Sequence, residues 1–198
     1  MARKMIPEKV EEAKEKIISA TMDLIIKDGF SRLTLAKVAK KAGITKAAIY
    51  WYFSSKEALL NVMAASLRTT FIDSAKQMAL QPIPPLQKIE AFFNALENSE
   101  IHKKCLLLIK VFLELYSTDD KTKSVIQDGY KEYIKIIQGI FDEAIKAKKI
   151  NTAISSIALS RIFMAALDGC IIHNEMFGNQ WISFREIKHL LFSSKEQH

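Results

Sequence analysis

The stretch AKKAGITKAAIYWYF, Ala39 to Phe53, is typical of two short helices joined by a tight turn. The small side chain of Ala39 lets two helices approach closely, and Gly43 can adopt the left-handed backbone conformation that a tight turn requires. Ile49, on the second helix, can then pack back onto the first. Together the three residues have the spacing of a helix-turn-helix motif, so this part of the chain is predicted to be helical.

The apolar pattern on both sides of this stretch predicts helices in the rest of the chain. Glycine and proline are scarce, with 6 and 4 in 198 residues, and apolar residues recur at three- and four-residue intervals. The sequence therefore indicates an all-α fold of about nine helices. After the motif, a long fourth helix is expected to run to the proline cluster at 81–85. Beyond it, helices are expected near 86–98, 101–117, 122–148, 153–177 and 183–194.

Capping residues set the expected helix boundaries near the motif. Pro7 suits the first position of a first helix, which should end at Asp28-Gly29. Thr34 and Thr45 can each cap one of the two short helices. Ser54 and Glu57 have the spacing of a capping box and are expected to open the fourth helix.

The net charge of +7 is concentrated at the N-terminal end. Residues 1–56 hold 12 Lys and Arg against 6 Asp and Glu, whereas residues 57–198 hold 17 against 16. A basic segment on a neutral body indicates an anionic partner, with nucleic acid first and an anionic membrane surface second. The alternative is a solvated basic face that keeps the protein soluble. With 49% apolar residues, the chain can bury a core, which disfavours a disordered or fibrous protein.

Neither cysteine has the neighbours of a metal or redox site. Cys105 and Cys170 lie in apolar helical stretches without a CxxC pattern, so both are predicted to be buried, reduced thiols. The N-terminus is charged where a signal peptide would be apolar, and the longest apolar run is 162–167. We therefore expect a cytoplasmic location, no metal and no cofactor.

The aromatic run from Tyr50 to Phe53 is divided between two faces of one helix. Ile49 and Phe53 are four residues apart and are expected to face the core. The alternative is that the outer rings fold back onto the first helix. The outward face is predicted to present Lys46, Ala47, Tyr50 and Trp51.

The segment from 17 to 60 resembles the DNA-binding domain of the TetR family of bacterial transcriptional regulators. The resemblance rests on the Gly29-Phe30 pair, the Thr34-Leu35 helix start, the AKKAGITKAAIYWYF stretch and Ser55-Lys56-Glu57. The LDGCIIHNEMF stretch, 167–177, is also similar to the penultimate helix of many members. This implies a helix-turn-helix domain at 1–56 and an effector-binding and dimerisation domain at 57–198. It also implies a homodimeric repressor, released from a palindromic operator on double-stranded DNA by a small apolar or amphipathic effector.

In such a domain the third helix enters the major groove of DNA. Lys46 and Ala47 would meet base edges, Lys56 a phosphate, and Trp51 a sugar or thymine methyl. Ala47 and Ala48 stand where many members place glycine, serine or threonine, and the helix contains no arginine. Lys46, methyl contacts and DNA shape are therefore expected to share the specificity. The predicted DNA-binding residues are Thr34, Thr45, Lys46, Ala47, Ala48, Tyr50, Trp51, Tyr52 and Lys56.

The C-terminal part carries apolar stripes with tyrosines that either line an effector pocket or are satisfied core residues. Asp168 and His173 could each hydrogen-bond an effector. The predicted effector-binding residues are Met63, Leu67, Phe92, Ile109, Phe112, Tyr116, Tyr130, Tyr133, Ile137, Phe163, Asp168 and His173.

Small residues on the 153–177 helix suit a seam between two copies of the chain, with packing inside one chain as the alternative. The predicted dimer-interface residues are Ala166, Gly169, Cys170, His173, Phe177, Ile187, Leu190 and Leu191.

Three other functions compete with this interpretation of the sequence. An enzyme is disfavoured because the sequence has no glycine-rich phosphate loop, HExxH or GxSxG motif, although a helical hydrolase could be built on Ser160, His173 and Asp168. Membrane-surface binding by the first helix is disfavoured because glutamates interleave with its lysines. A DNA-binding regulator or architectural protein without any effector remains open.

Overall fold

A computed structural model of the chain describes residues 7–116, 120–150, 152–178 and 186. These residues form eight α-helices and a short 3-10 helix, with no strand among them, so the predicted all-α class is confirmed. The expected ninth helix, 183–194, lies outside the described residues except for Glu186. The helices are α1 (Pro7–Asp28), α2 (Leu35–Ala42), α3 (Lys46–Tyr52), α4 (Lys56–Ala79), α5 (Pro85–Glu97), α6 (Ser99–Leu115), α7 (Asp120–Lys146) and α8 (Ser156–Phe177), with the 3-10 helix at Phe30–Arg32.

The caps of the two short helices are those that the sequence predicts. The Thr34 side chain accepts a hydrogen bond from the Lys37 amide at 3.3 Å, and Thr45 accepts one from the Ala48 amide at 3.0 Å. Gly43 ends α2 with φ of 71°, the left-handed conformation that glycine adopts without a steric penalty. These local signals fix the angle at which α3 leaves α2.

The predicted capping box from Ser54 to Glu57 is wrong by one residue. Ser55 is the N-cap of α4, and its hydroxyl accepts a hydrogen bond from the Ala58 amide at 3.1 Å. Phe53, at the end of α3, is extended, so the chain uses Ser54 to turn before α4 begins. Hydrogen bonds from the Glu57 amide and then from Ser55 lower the pKa of the Glu57 carboxyl, as expected at a helix N-terminus.

Two hydrophobic clusters form the core. The first contains residues of α1, α2, α3 and α4, together with Leu107, Val111 and Leu115 of α6. The second joins α5, α6, α7 and α8 around Phe163, whose ring lies 5.1 Å from that of Phe93. Helix α6 therefore packs on both clusters, which places it between the helix-turn-helix and the C-terminal helices.

The C-terminal end of α4 is tied to the second cluster by a buried lysine. Lys88 of α5 donates a hydrogen bond to the Ala79 carbonyl at 2.6 Å and pairs with the Glu143 carboxylate of α7 at 2.9 Å. The lysine side chain is only 7% exposed. A buried ammonium needs such partners, and here they join the ends of three helices.

By length and composition, one helix of the described residues, α8, would suffice to cross a membrane. Its Leu159, Phe163 and Leu167 are buried in the second cluster. A core helix passes the same test of length and apolar composition.

Candidate nucleic-acid interface and effector site

Helix α3 has one buried face and one exposed face, as the sequence predicts. Ile49 is fully buried and Phe53 is 4% exposed, and both belong to the first cluster. Tyr50 and Trp51 are 52% and 63% exposed. The alternative, in which these two rings fold back onto α1, is therefore wrong. Tyr52 is half-buried beside the cluster and meets the Trp51 ring edge-on at 4.9 Å.

The N-terminal end of α3 is open and polar. Lys46 and Ala47 are exposed, whereas Ala48 is half-buried. The Thr34 and Thr45 hydroxyls accept amide hydrogen bonds as caps. A hydroxyl that accepts still has its own proton to donate. Both threonines are exposed, so each can donate to a phosphate that approaches the helix end.

Lys56 is already engaged within the protein. Its ammonium donates a hydrogen bond to the Phe30 carbonyl at 2.8 Å and lies 3.9 Å from the Glu114 carboxylate of α6. Its side chain is 27% exposed, and an ammonium has three donors. A phosphate contact by Lys56 stays a prediction, and it would share the ammonium with these two groups.

The structure adds one lysine to this surface that sequence reasoning missed. Lys37 is exposed in the first turn of α2, and its ammonium donates to the Arg32 carbonyl at 2.9 Å. Its position three residues after the cap Thr34 was the available signal. Lys41, by contrast, pairs with Asp23 of α1 at 2.9 Å and helps to hold α2 in place.

Comparison with known proteins agrees with a helix-turn-helix in this part of the chain. Residues 17–63 match the family model described as bacterial regulatory proteins, tetR family. These residues therefore match the DNA-binding domain of the TetR family. The chain is 26% identical over 159 residues to the HTH-type transcriptional regulator YvdT of Bacillus subtilis, covering 76% of each chain. It is 41% identical over 66 residues to the regulator SrpR of Pseudomonas putida, and that match spans 33% of this chain and 30% of SrpR.

Solved structures of bacterial regulators share this fold over most of the chain. The MbdR regulator from Azoarcus sp. CIB superimposes with a TM-score of 0.75 at 23% identity, covering 91% of this chain and 97% of MbdR. The regulator FadR from Bacillus subtilis, in complex with stearoyl-CoA, superimposes with a TM-score of 0.73 at 21% identity, covering 90% and 97%. At these identities the likeness establishes the fold.

The structure brings together only part of the predicted effector-binding set. Met63 and Leu67 lie in the first cluster, on the helix-turn-helix side of α4. Phe163 and Ile137 are fully buried in the second cluster. The ring of Phe112 and that of the exposed Tyr116 lie 5.3 Å apart, tilted by 34°, near the end of α6. The remaining predicted residues, apart from His173, lie at the edge of the second cluster or beside it: Phe92, Ile109, Tyr130, Tyr133 and Asp168.

A polar group lies at that edge, between α6, α7 and α8. The Tyr130 hydroxyl donates a hydrogen bond to the Asp168 carboxylate at 2.8 Å. Burial raises the pKa of Asp168, and the bond from Tyr130 opposes that shift. Burial and then the charge of Asp168 raise the pKa of Cys105 to about 12. The Tyr133 pKa is raised by burial first and then by Cys105 and Asp168. Cys105 was not among the predicted site residues.

The sequence suggested Asp168 and His173 as neighbouring polar groups, but the structure pairs Asp168 with Tyr130 instead. Residues five apart on a helix point about 140° away from each other, given 3.6 residues per turn. Within the described part of the chain, the buried His173 Nδ1 has no hydrogen-bond partner. The His173 ring lies 6.2 Å from that of Phe177.

The predicted dimer residues of α8 are placed differently from one another. Cys170 is buried in its own chain, and burial and then the charge of Glu186 raise its pKa to about 11. Phe177 is 56% exposed. Ala166, Gly169 and His173 are half-buried, and the three remaining predicted residues, Ile187, Leu190 and Leu191, lie outside the described residues.

Three further exposed apolar side chains of α8 were not among the predicted dimer residues. Ile162, Ile172 and Met176 are 44%, 37% and 65% exposed. Together with the exposed Ala165 and with Gly169 they repeat at intervals of three and four residues. That spacing is the seam pattern of paired helices.

Proposed function

We propose that this chain is a sequence-specific, DNA-binding transcriptional regulator that acts as a dimer and responds to a small-molecule effector. The observation that carries the proposal is the division of α3. Its inner face is anchored by Ile49 and Phe53, while Lys46, Tyr50 and Trp51 are offered outward from a basic domain. A helix held in this way is rigid enough to enter a major groove without losing its own packing.

In the proposed complex, the N-terminal end of α3 meets the base edges. Lys46 reads acceptors on bases, and Ala47 contacts thymine methyl groups. Tyr50 and Tyr52 donate hydroxyls to phosphates, and the exposed indole of Trp51 covers a sugar or a methyl group. Without an arginine on α3, direct readout is sparse, so the deformability of the DNA contributes to the choice of site.

The proposed dimer uses the exposed apolar face of α8. Two copies of this face, related by a two-fold axis, would bury Ile162, Ile172 and Met176 against each other. The size of the exposed side chains supports the pairing, since an isolated chain gains nothing from presenting them to water. A symmetric dimer would read two half-sites of a palindromic operator in successive major grooves.

The oligomeric state can be tested by sedimentation equilibrium. Ile172→Glu should convert a dimer into monomers because it places two carboxylates in an apolar seam. Leu113→Glu is the matched control, since Leu113 is 63% exposed on α6 rather than α8. A dimer that survives Ile172→Glu, or is lost equally with Leu113→Glu, would contradict this interface.

The proposed response to an effector runs through α6 and α4. Helix α6 packs on both clusters, and its Glu114 lies beside Lys56 at the start of α4. A ligand among α6, α7 and α8 that favours one position of α6 would shift the separation of the two recognition helices. Linkage then requires that effector and DNA weaken each other by the same factor. We infer a repressor released by its effector, in a cytoplasmic location.

A regulator without an effector is the remaining DNA-binding alternative. A thermal-shift screen separates the two, because a compound that binds only the folded state raises the melting temperature. The proposal assigns no catalytic role. The Ser160 hydroxyl, the nucleophile of the hydrolase alternative, is buried and donates to the Ser156 carbonyl of its own helix at 2.7 Å.

The DNA-binding proposal is tested by fluorescence anisotropy on an operator duplex and a scrambled duplex over a range of salt. Lys46→Ala should lower the preference for the operator, whereas Lys56→Ala should weaken binding to both duplexes and reduce the salt slope by about 1. Equal losses on both duplexes for Lys46→Ala would contradict base reading by this lysine.

A further inference from the structure

The Asp168 carboxylate lies among the side chains of Tyr130, Tyr133 and Cys105. Within the described residues, no lysine, arginine or histidine nitrogen forms an ion pair with it. Its neighbours Tyr130, Tyr133 and Cys105 are all groups that carry either no charge or a negative one. Lys110 of α6 pairs instead with Glu175 of α8, at 3.1 Å.

An unpaired carboxylate in a half-buried position is costly unless something compensates it. The Tyr130 hydroxyl donates a hydrogen bond to one oxygen of the Asp168 carboxylate, Oδ2. A carboxylate has about four acceptor positions, so acceptor capacity remains. The group is reachable from outside, because Tyr130 is 40% exposed and Asp168 and Tyr133 are half-buried.

Aromatic rings continue from the carboxylate into the second cluster. The Tyr133 ring meets Phe92 edge-on at 6.3 Å, and Phe92 meets Phe163 at the same distance. Ring faces attract cations, and the attraction grows when water is excluded. The apolar sides of Ile109 and Phe92, both partly buried, extend this surface away from the charge.

We propose that Asp168, Tyr130 and Tyr133 receive the positively charged head of an amphipathic organic cation, whose apolar body lies against Phe92 and Ile109. The inference deepens the proposed effector response and rests on it for its regulatory meaning. It distinguishes this site from one for a fatty acyl anion, because a second negative charge beside Asp168 would be repelled.

The test uses three probes with the same ten-carbon chain and different head charges: decyltrimethylammonium, decanol and decanoate. Isothermal titration calorimetry on the full chain, below micelle-forming concentrations, should show the cation binding most tightly and decanoate most weakly. Asp168→Asn keeps the shape and the acceptor for Tyr130 but removes the charge. It should lower the affinity for the cation by at least roughly tenfold and leave the affinity for decanol unchanged, as expected when one partner of a partly buried charge pair is removed.

Glu175→Gln is the matched control, since it removes a carboxylate from the same helix that already has a lysine partner. It should leave the affinity for the cation unchanged. Circular dichroism melting of each variant confirms that it is folded. Tighter binding of decanoate than of the cation, an unchanged cation affinity in Asp168→Asn, or no binding of any probe would overturn the inference.

The same samples, titrated with operator DNA, separate this inference from the proposed function. A protein that binds operator and is released by decanoate, but not by the cation, would remain a regulator with a different effector class. Cation binding that depends on Asp168, in a protein that prefers no DNA sequence, would uphold the site and overturn the regulatory function.

Discussion

Replacing Trp51 and replacing Ile49 with alanine should separate DNA binding from stability on a single helix. An indole has on the order of 200 Å² of surface, and the Trp51 side chain is 63% exposed. About 125 Å² is then accessible, and burying about 100 Å² of it against a partner, at about 25 cal/mol per Å², corresponds to roughly 2.5 kcal/mol. Trp51→Ala should therefore weaken operator binding roughly 50- to 100-fold, while changing the free energy of unfolding by about 0.5 kcal/mol or less.

Ile49→Ala should show the opposite balance. Ile49 is fully buried in the first cluster, so its truncation leaves a cavity and should cost about 2–5 kcal/mol of unfolding free energy. Urea denaturation measures the free energy of unfolding of each variant, and fluorescence anisotropy measures its affinity for operator DNA. If Trp51→Ala destabilised the chain as much as Ile49→Ala, or left operator affinity unchanged, the division of α3 into a packing face and a DNA face would be refuted.

Three further tests concern backbone conformation, the buried Lys88 and the polar group that contains Asp168. Gly43→Ala should lower the free energy of unfolding by about 1 kcal/mol because Gly43 has a φ of 71°. Gly139→Ala, in the middle of α7 with free space around it, should raise that free energy by about 0.5–1 kcal/mol. Urea denaturation measures both changes. In the same assay, Lys88→Met should lower the free energy of unfolding by about 1.5–3 kcal/mol because two hydrogen bonds are lost. Lys76→Met is the control, since it breaks an exposed ion pair and should have little effect. Equal losses for the two variants would contradict the role of burial. Because burial raises the pKa of Asp168, the folded chain binds the proton of this carboxyl more tightly than the unfolded chain does, and stability falls as the pH rises from 3.8 through the folded pKa. Asp168→Asn should therefore raise the melting temperature at pH 7, and the gain should fade towards pH 4. A lower melting temperature of this variant at pH 7 would contradict the argument.

The helix-turn-helix could be predicted from sequence because its determinants are local. Thr34, Gly43 and Thr45 act within three or four residues of their own positions, and Ile49 lies on the face that the helical period assigns to it. Two adjacent serines before α4 offered two possible caps, and sequence spacing selected the wrong one. The choice of Ser55 depends on the extended backbone of Phe53, which no local pattern shows.

The candidate effector site was less predictable because its contacts join distant parts of the chain. The Tyr130–Asp168 hydrogen bond spans 38 residues, and the Lys56–Phe30 hydrogen bond spans 26. Helical periodicity shows which residues share a face, but it does not show which other helix that face meets. For the same reason the sequence assigned Cys170 to a dimer seam although it is buried within its own chain, and it did not identify Ile172.

Coupling between the two halves depends on helices that belong to both. Helix α6 contributes Leu107 to the first cluster and Leu106 to the second. The buried Lys88 fixes the far end of α4, so a change in the C-terminal helices would be transmitted along α4 rather than absorbed at its end. This arrangement gives an effector a mechanical route to the recognition helix, and the reciprocity of effector and DNA affinity measures it.

Enrichment of random duplex DNA by the purified chain at physiological salt tests sequence-specific recognition most directly. After several rounds, sequencing should show a two-fold palindrome with wild-type protein and no motif with the Lys46→Ala/Trp51→Ala double variant, which removes only exposed side chains. No enriched motif with a folded wild-type protein, or the same motif with the double variant, would contradict DNA recognition by α3.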